Sequence, residues 1–164
     1  VIVVIFVALV KIPRMNKTEY DQLIREEYIS RIAFKGEEYP YIAPFLYVFD
    51  GKFIYFLSTK YGKKMQLFQQ SPNVAVEIEK YSSDLANYTF VTLIGRLMQI
   101  DDPTEDTVIR KKFIELIKGK HLSKNIVAAL GHSPEEPIES IVTEKRSLIW
   151  KLVDVEGIVG LKNV

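Results

Sequence analysis

The dipeptide Asp50-Gly51 stands between two apolar runs, residues 39–49 and 52–57, and is the strongest short-range folding signal in the chain. Asp-Gly readily adopts the positive φ that a tight chain reversal demands, so the two runs are expected to pair as an antiparallel hairpin. Hairpin pairing points away from a parallel α/β sheet, whose neighbouring strands are joined through helical crossovers. Pro40 and Pro44 fall inside the first run. Proline has no N–H to give to a ladder, so this strand is expected at an edge or a bulge rather than in mid-sheet.

Other segments repeat the pattern. Residues 29–35 read as a strand ahead of the hairpin. Over residues 73–80, Val74, Val76 and Ile78 alternate with Ala75, Glu77 and Glu79, the signature of a half-buried strand. Residues 88–100 read as a long strand, with Gly95 marking a bulge or a close approach. A final strand is expected over 147–155, containing the single tryptophan, Trp150, with Gly157 and Gly160 breaking the tail. Helical spacing occupies 16–28, with Asn16 or Thr18 as its cap, then 62–70, 105–118 and 124–130. The sum is a mainly β fold of about six mostly antiparallel strands with inserted helices, closed or partly closed into a barrel.

The chain has 164 residues and reads as one domain over residues 15–164. Residues 1–14 stand apart as an apolar N-terminal extension of uncertain status: Val1 to Val10 are all apolar, followed by Lys11, Ile12, Pro13 and Arg14. An upstream extension before Met15, an extra strand and a membrane anchor are the three readings; ten apolar residues reach only about half-way across a bilayer as a helix. A net charge of +1 supplies no overall field toward nucleic acid or membrane, and neither is expected as a partner. A cytoplasmic location accompanies that expectation. Cysteine is absent, which excludes disulfides and thiolate chemistry. His121 and His132 lie in one apparently helical stretch without metal-ligand spacing, and read as surface or helix-capping residues. No metal site is expected.

The chemistry concentrates in residues 54–64, Ile-Tyr-Phe-Leu-Ser-Thr-Lys-Tyr-Gly-Lys-Lys. A strand ends in the hydroxyls of Ser58 and Thr59, turns through Gly62 and opens a helix with Lys63 and Lys64. Hydroxyls donate hydrogen bonds, a helix N-terminus presents free N–H groups, and lysines add charge, so each part suits a phosphate. Lysines at a helix start oppose the macrodipole and are mildly unfavourable without an anion. A solvated basic turn is the competing reading.

The order of these segments resembles the flavin-mononucleotide-binding part of the pyridoxamine 5′-phosphate oxidase-like split β-barrels. The resemblance rests on Ile54, Tyr55, Phe56 and Ser58, then Gly62-Lys63-Lys64, then Ser71-Pro72-Asn73-Val74, with Tyr39 to Pro44 before and Leu93-Ile94-Gly95-Arg96 after. It implies a six-stranded antiparallel split barrel of Greek-key type, and FMN, or alternatively a deazaflavin coenzyme, as cofactor. It implies that Ser58, Thr59, Lys63 and Lys64 hold the flavin phosphate, and that Ile42, Ala43 and Pro44 pass backbone groups along the ring. It implies a homodimer with the flavin at its interface, where Trp150 either helps complete the pocket or serves as a core residue. The activity implied is a flavin-dependent oxidoreductase acting on a small molecule of unread identity, or a non-catalytic flavin-binding or storage module. Two departures stand out: the C-terminal region lacks the family's Arg-x-His substrate motif, and Leu57 stands where the nitroimidazole-resistance branch tends to carry histidine.

Overall fold

The computed structural model describes residues 10–163. The elements follow in the order α1 (Lys17–Glu26), β1 (Ile29–Phe34), β2 (Tyr41–Phe49), β3 (Ile54–Thr59), α2 (Lys63–Gln70), β4 (Asn73–Tyr81), β5 (Tyr88–Gln99), α3 (Pro103–Gly119), α4 (Asn125–Ala128), α5 (Ser140–Thr143) and β6 (Ser147–Lys162). The six strands close into one barrel in the order β1-β2-β3-β6-β5-β4, each paired antiparallel to its neighbours. The expected split-barrel fold is the observed one.

Alternation gives every strand an inward face, and divides β2, β3 and β6 between two cores. Ile32, Phe34, Phe45, Tyr47, Phe56, Val74, Val76, Ile78, Val91, Leu93 and Trp150 point into the barrel. On the other side of β2, β3 and β6, Leu46, Val48, Tyr55, Leu57 and Ile149 point outward against Ile109, Phe113 and Ile117 of α3, Val127 of α4 and Ile141 of α5. The helices between β5 and β6 thus cover one outer flank of the barrel. At its start, Asn16 caps α1 through a reciprocal capping box with Glu19, which leaves Leu23 and Ile24 buried against the barrel.

The hairpin turn behaves as its sequence dictates. Gly51 sits at φ 100°, and the Asp50 carboxylate accepts from the backbone N–H groups of Lys52 and Phe53. Gly95 marks the register shift between β5 and β6; a Cβ there would lie 2.9 Å from the Val153 carbonyl oxygen. The tail departs from expectation. Rather than ending near residue 155, β6 runs on through Gly157 and Gly160 to Lys162. Gly160 is a contact point instead of a breaker, since a Cβ there would come within 3.0 Å of the Met15 Cβ. Met15 N–H donates to the Gly160 carbonyl, Lys162 N–H donates to the Pro13 carbonyl, and Arg14 bridges Leu161. Residues 13–14, set apart with the extension by sequence, are therefore stitched to the barrel; residues 1–9 lie outside the described part. Among the described residues, no helix is long and apolar enough to cross a membrane.

Candidate functional site

β2 and β3 leave their turn paired, Phe49 to Ile54, Val48 to Tyr55 and Tyr47 to Phe56, and then part. Continuing that register would set Leu46 against Leu57, Phe45 against Ser58 and Pro44 against Thr59. Instead β2 stays with β1 and β3 stays with β6. Pro44 suits this parting. Tyr47 N–H donates to the Tyr28 carbonyl on the β1 side at 2.9 Å, so alternation turns the backbone nitrogen of residue 44 toward β3. There a proline has no hydrogen to offer a ladder. Of the two prolines, Pro44 thus lies on a local edge, the half of β2 that is unpaired toward β3, while Pro40 falls just ahead of the strand.

A cavity of about 380 Å³ is lined by both sides of this split: Tyr41, Ala43, Pro44, Phe45 and Leu46 from β2, and Leu57, Ser58 and Thr59 from β3. Lys64 reaches it from α2, while Ile29, Ile126, Ala129 and Leu130 complete the wall. Five of the residues singled out by sequence, Ala43, Pro44, Ser58, Thr59 and Lys64, thus converge on one pocket. Ile42 does not. It shares the outward face of Pro44 and Leu46 but lies outside the pocket lining and is 62% exposed. Lys63 is likewise exposed, and only the second lysine of the pair lines the pocket.

The charge at this pocket is uncompensated. Lys64 Nζ donates to Thr59 Oγ1 at 2.7 Å, and the Thr59 hydroxyl in turn donates to the Tyr61 carbonyl. Among the described residues no carboxylate pairs with Lys60, Lys63 or Lys64. Burial without an anion pushes the Lys64 ammonium below the usual lysine range. Gly62 adopts φ 96° at the start of α2, which has no side-chain cap and no acidic residue in its first turn. The N-terminal N–H groups and the half-buried ammonium therefore share one unmet demand, for an anion. Two hydroxyls, one ammonium and a helix start on an otherwise apolar pocket fit a ligand with a phosphate at one end and a flat apolar ring system at the other.

A second cavity, about 400 Å³, lies between α1, the hairpin turn and the β6 bulge. Its rim charges are largely spent: Lys17 pairs with Asp21, and Asp154 pairs with Arg96.

Trp150 sits elsewhere. Its side chain is 0% exposed inside the barrel, with ring centroids 5.9 Å from Phe34 and Phe45 and 5.0 Å from Phe68, and its Nε1 lacks a partner. The core role is the one its position supports. The histidines correct the sequence reading. They do not share a helix: α3 ends at Gly119 and α4 spans Asn125–Ala128. Nor is His132 a surface residue, being 3% exposed with Nδ1 at 3.1 Å from Glu136 Oε2 and 3.2 Å from Ser140 Oγ. His132, Glu136 and Glu144 cluster closely, yet the Arg146 guanidinium already neutralises both carboxylates. The sequence reading missed Ile126, Ala129 and Leu130 as pocket residues; they lie more than sixty positions beyond Lys64, and apolar residues in a short helix carry no signal of where they dock.

A closed six-strand barrel parted between β2 and β3, with a basic turn at the parting, defines a split-barrel protein with a pocket in its seam. The profile of the pyridoxamine 5′-phosphate oxidase family matches residues 16–143, and the chain belongs to that family. No curated protein matches it significantly. Among solved structures, a FAD-binding protein from Mesorhizobium loti is similar at 17% identity and a TM-score of 0.69, covering 93% of this chain and 99% of the other. The FAD binding protein from Mycobacterium smegmatis is similar at 14% identity and a TM-score of 0.59, covering 92% and 97%. The heme storage protein HutZ from Vibrio cholerae is similar at 10% identity and a TM-score of 0.64, covering 89% and 94%. At these identities the likeness is one of fold.

Proposed function

We propose that the pocket in the β2–β3 split binds FMN and that the protein is a flavin-dependent oxidoreductase. The observation that carries the reading is the convergence of Ser58, Thr59 and a half-buried, unpaired Lys64 at an uncapped helix start, on a cavity otherwise walled by apolar residues. In this reading the N-terminal N–H groups of α2 and Lys64 hold the phosphate, and the hydroxyls of Ser58 and Thr59, which donate to the Thr59 and Tyr61 carbonyls without ligand, turn toward it as further donors. The unpaired edge of β2 at residues 42–46 offers backbone groups to the polar rim of the ring, while Phe45, Leu46 and Leu57 exclude water from its apolar part. Electron transfer is chemistry the flavin supplies; the protein contributes binding and orientation.

The same reading includes a homodimer. A row of apolar residues crosses five strands on the uncovered outer face, Ile42 beside Ala33, then Ala75, Ile94 and Gly157. Ile94 is 52% exposed and Ile42 62% exposed. Ile42 adjoins Ala43 and Pro44 of the pocket rim, so a second copy seated on this row would close the ligand site from outside. Sedimentation should give a dimer, and Ile94→Asp should shift it to monomer; a wild-type monomer with full flavin occupancy would refute the interface site.

A non-catalytic binding or storage role is the second reading. It is favoured by the pocket lining, which includes no histidine, carboxylate or arginine among the described residues. The purified protein's visible spectrum tests both. A yellow preparation, or one that becomes so on adding FMN, supports flavin binding; a colourless protein that takes up neither FMN nor FAD rejects it. Turnover of reduced nicotinamide with an electron acceptor then separates enzyme from binder.

A further inference from the structure

The wall opposite the strands comes from a part of the chain that carries no flavin-associated motif. Ile126, Ala129 and Leu130, in and just after α4, line the pocket with apolar surface alone. A phosphate dianion gains nothing from such a wall and loses hydration against it, whereas a flat apolar ring gains by the area it buries. The wall is also firmly seated. Val127 is 1% exposed in the outer core, and its carbonyl accepts from His132 N–H at 3.1 Å. Arg146 Nη1 donates to the Gly131 carbonyl at 3.0 Å, while Gly131 turns the chain at φ 87°. His132 is in turn held by Glu136 and Ser140, so a polar clasp fixes a wall that no β-ladder reaches.

We infer that the segment 126–130 is the ring-binding wall of the flavin site, with the isoalloxazine lying between it and the β2 edge while the phosphate faces Thr59 and Lys64. This assignment rests on the flavin reading above and adds an orientation to it. It makes Ala129 the residue that sets the room left for the ring: it is small, solvent-exposed and on the pocket side.

FMN and riboflavin, which share the ring and differ in the phosphate, separate the two ends of the site. Each is titrated by flavin fluorescence into the wild type, Ala129→Trp, Ala129→Gln and Lys64→Ala. Either change at Ala129 should weaken FMN and riboflavin in parallel, by roughly tenfold or more. Lys64→Ala should weaken FMN and leave riboflavin unchanged. Thermal midpoints close to wild type are expected at position 129, because its side chain is outside both cores; the uncharged Ala129→Gln keeps the test open should the bulkier variant misfold. Wild-type riboflavin binding that survives both substitutions at Ala129 would overturn the wall. A loss of FMN with riboflavin retained would also overturn it, by placing the phosphate there. A wild type that binds neither flavin would instead reject the reading on which the wall rests.

Discussion

The barrel interior and the outer helical flank are both apolar cores, yet they are held in different ways. Inside, six strands supply alternating side chains, and Phe34, Phe45, Phe56 and Trp150 form a cluster of rings with Phe68 of α2, without an ion pair among the described residues. The interior's polar groups are few and local: the Tyr47 hydroxyl donates to the Ile24 carbonyl at 2.8 Å, and burial pushes this phenol well above the usual tyrosine range. Outside, two short helices cannot align themselves by backbone hydrogen bonds to the barrel, and buried polar clips do so instead. Arg110, 1% exposed, donates to Asp106, to the Ile141 carbonyl and to both the hydroxyl and the carbonyl of Ser147, tying α3 to α5 and β6. The difference teaches where a ligand can enter. The pocket lies on the seam, taking Phe45 from the inner core and Leu46, Leu57 and Leu130 from the outer one. Neither core closes over it.

The sharpest way to break this contrast is to hollow the interior. Trp150→Ala should cost about 3–5 kcal/mol, read as a lowered denaturant midpoint for the whole chain. Trp150→Phe should cost far less, because it removes an indole N–H that has no partner. Equal costs for the two would mean that the indole nitrogen, rather than the ring volume, matters.

The outer flank should fail through its charges. Arg110→Ala should cost about 3 kcal/mol, since it leaves Asp106 to Lys145 alone and strands the Ser147 and Ile141 acceptors. Burial raises the Asp106 carboxyl, but hydrogen bonds from Arg110 and Lys145 outweigh it and hold the group below the ordinary aspartate range. A depressed acid contributes stability above its unfolded pKa of about 3.9, which is lost as pH falls through the lower folded value. The flank should therefore loosen in acid below about pH 4, before the interior does. Hydrogen exchange that opened α3 and the barrel strands together would erase the distinction.

At the seam, the fold should be indifferent and the ligand should not. Lys64→Ala should change stability by no more than about 0.5 kcal/mol while weakening FMN by roughly 10- to 100-fold, the worth of a charge-assisted contact. A large loss of stability without ligand would make Lys64 a structural residue. Smallest is the cap of α1: Asn16→Ala should cost about 1 kcal/mol, measured by thermal melting. No loss would mean that the Met15 and Pro13 bonds to β6 hold that helix start by themselves.

Much of this was legible in the chain. The alternation of Val74, Val76 and Ile78 specified the inner face of β4, because side chains in a strand repeat every second residue. Asp50-Gly51 specified the hairpin, because φ near 100° at Gly51 is open to few other residues. The basic turn was visible as composition, two hydroxyls followed by a glycine and two lysines. What alternation does not encode is how far two paired strands stay together. Only the closed barrel decided that β2 and β3 part after Tyr47 and Phe56, and so turned a basic turn into one side of a pocket. Only tertiary packing chose Lys64 over Lys63, carried residues 126–130 across to the site, and buried His132 and Trp150. The reason is range: a turn or a strand face follows from forces between neighbours in sequence, whereas a cavity is what remains between segments that have each settled against something else.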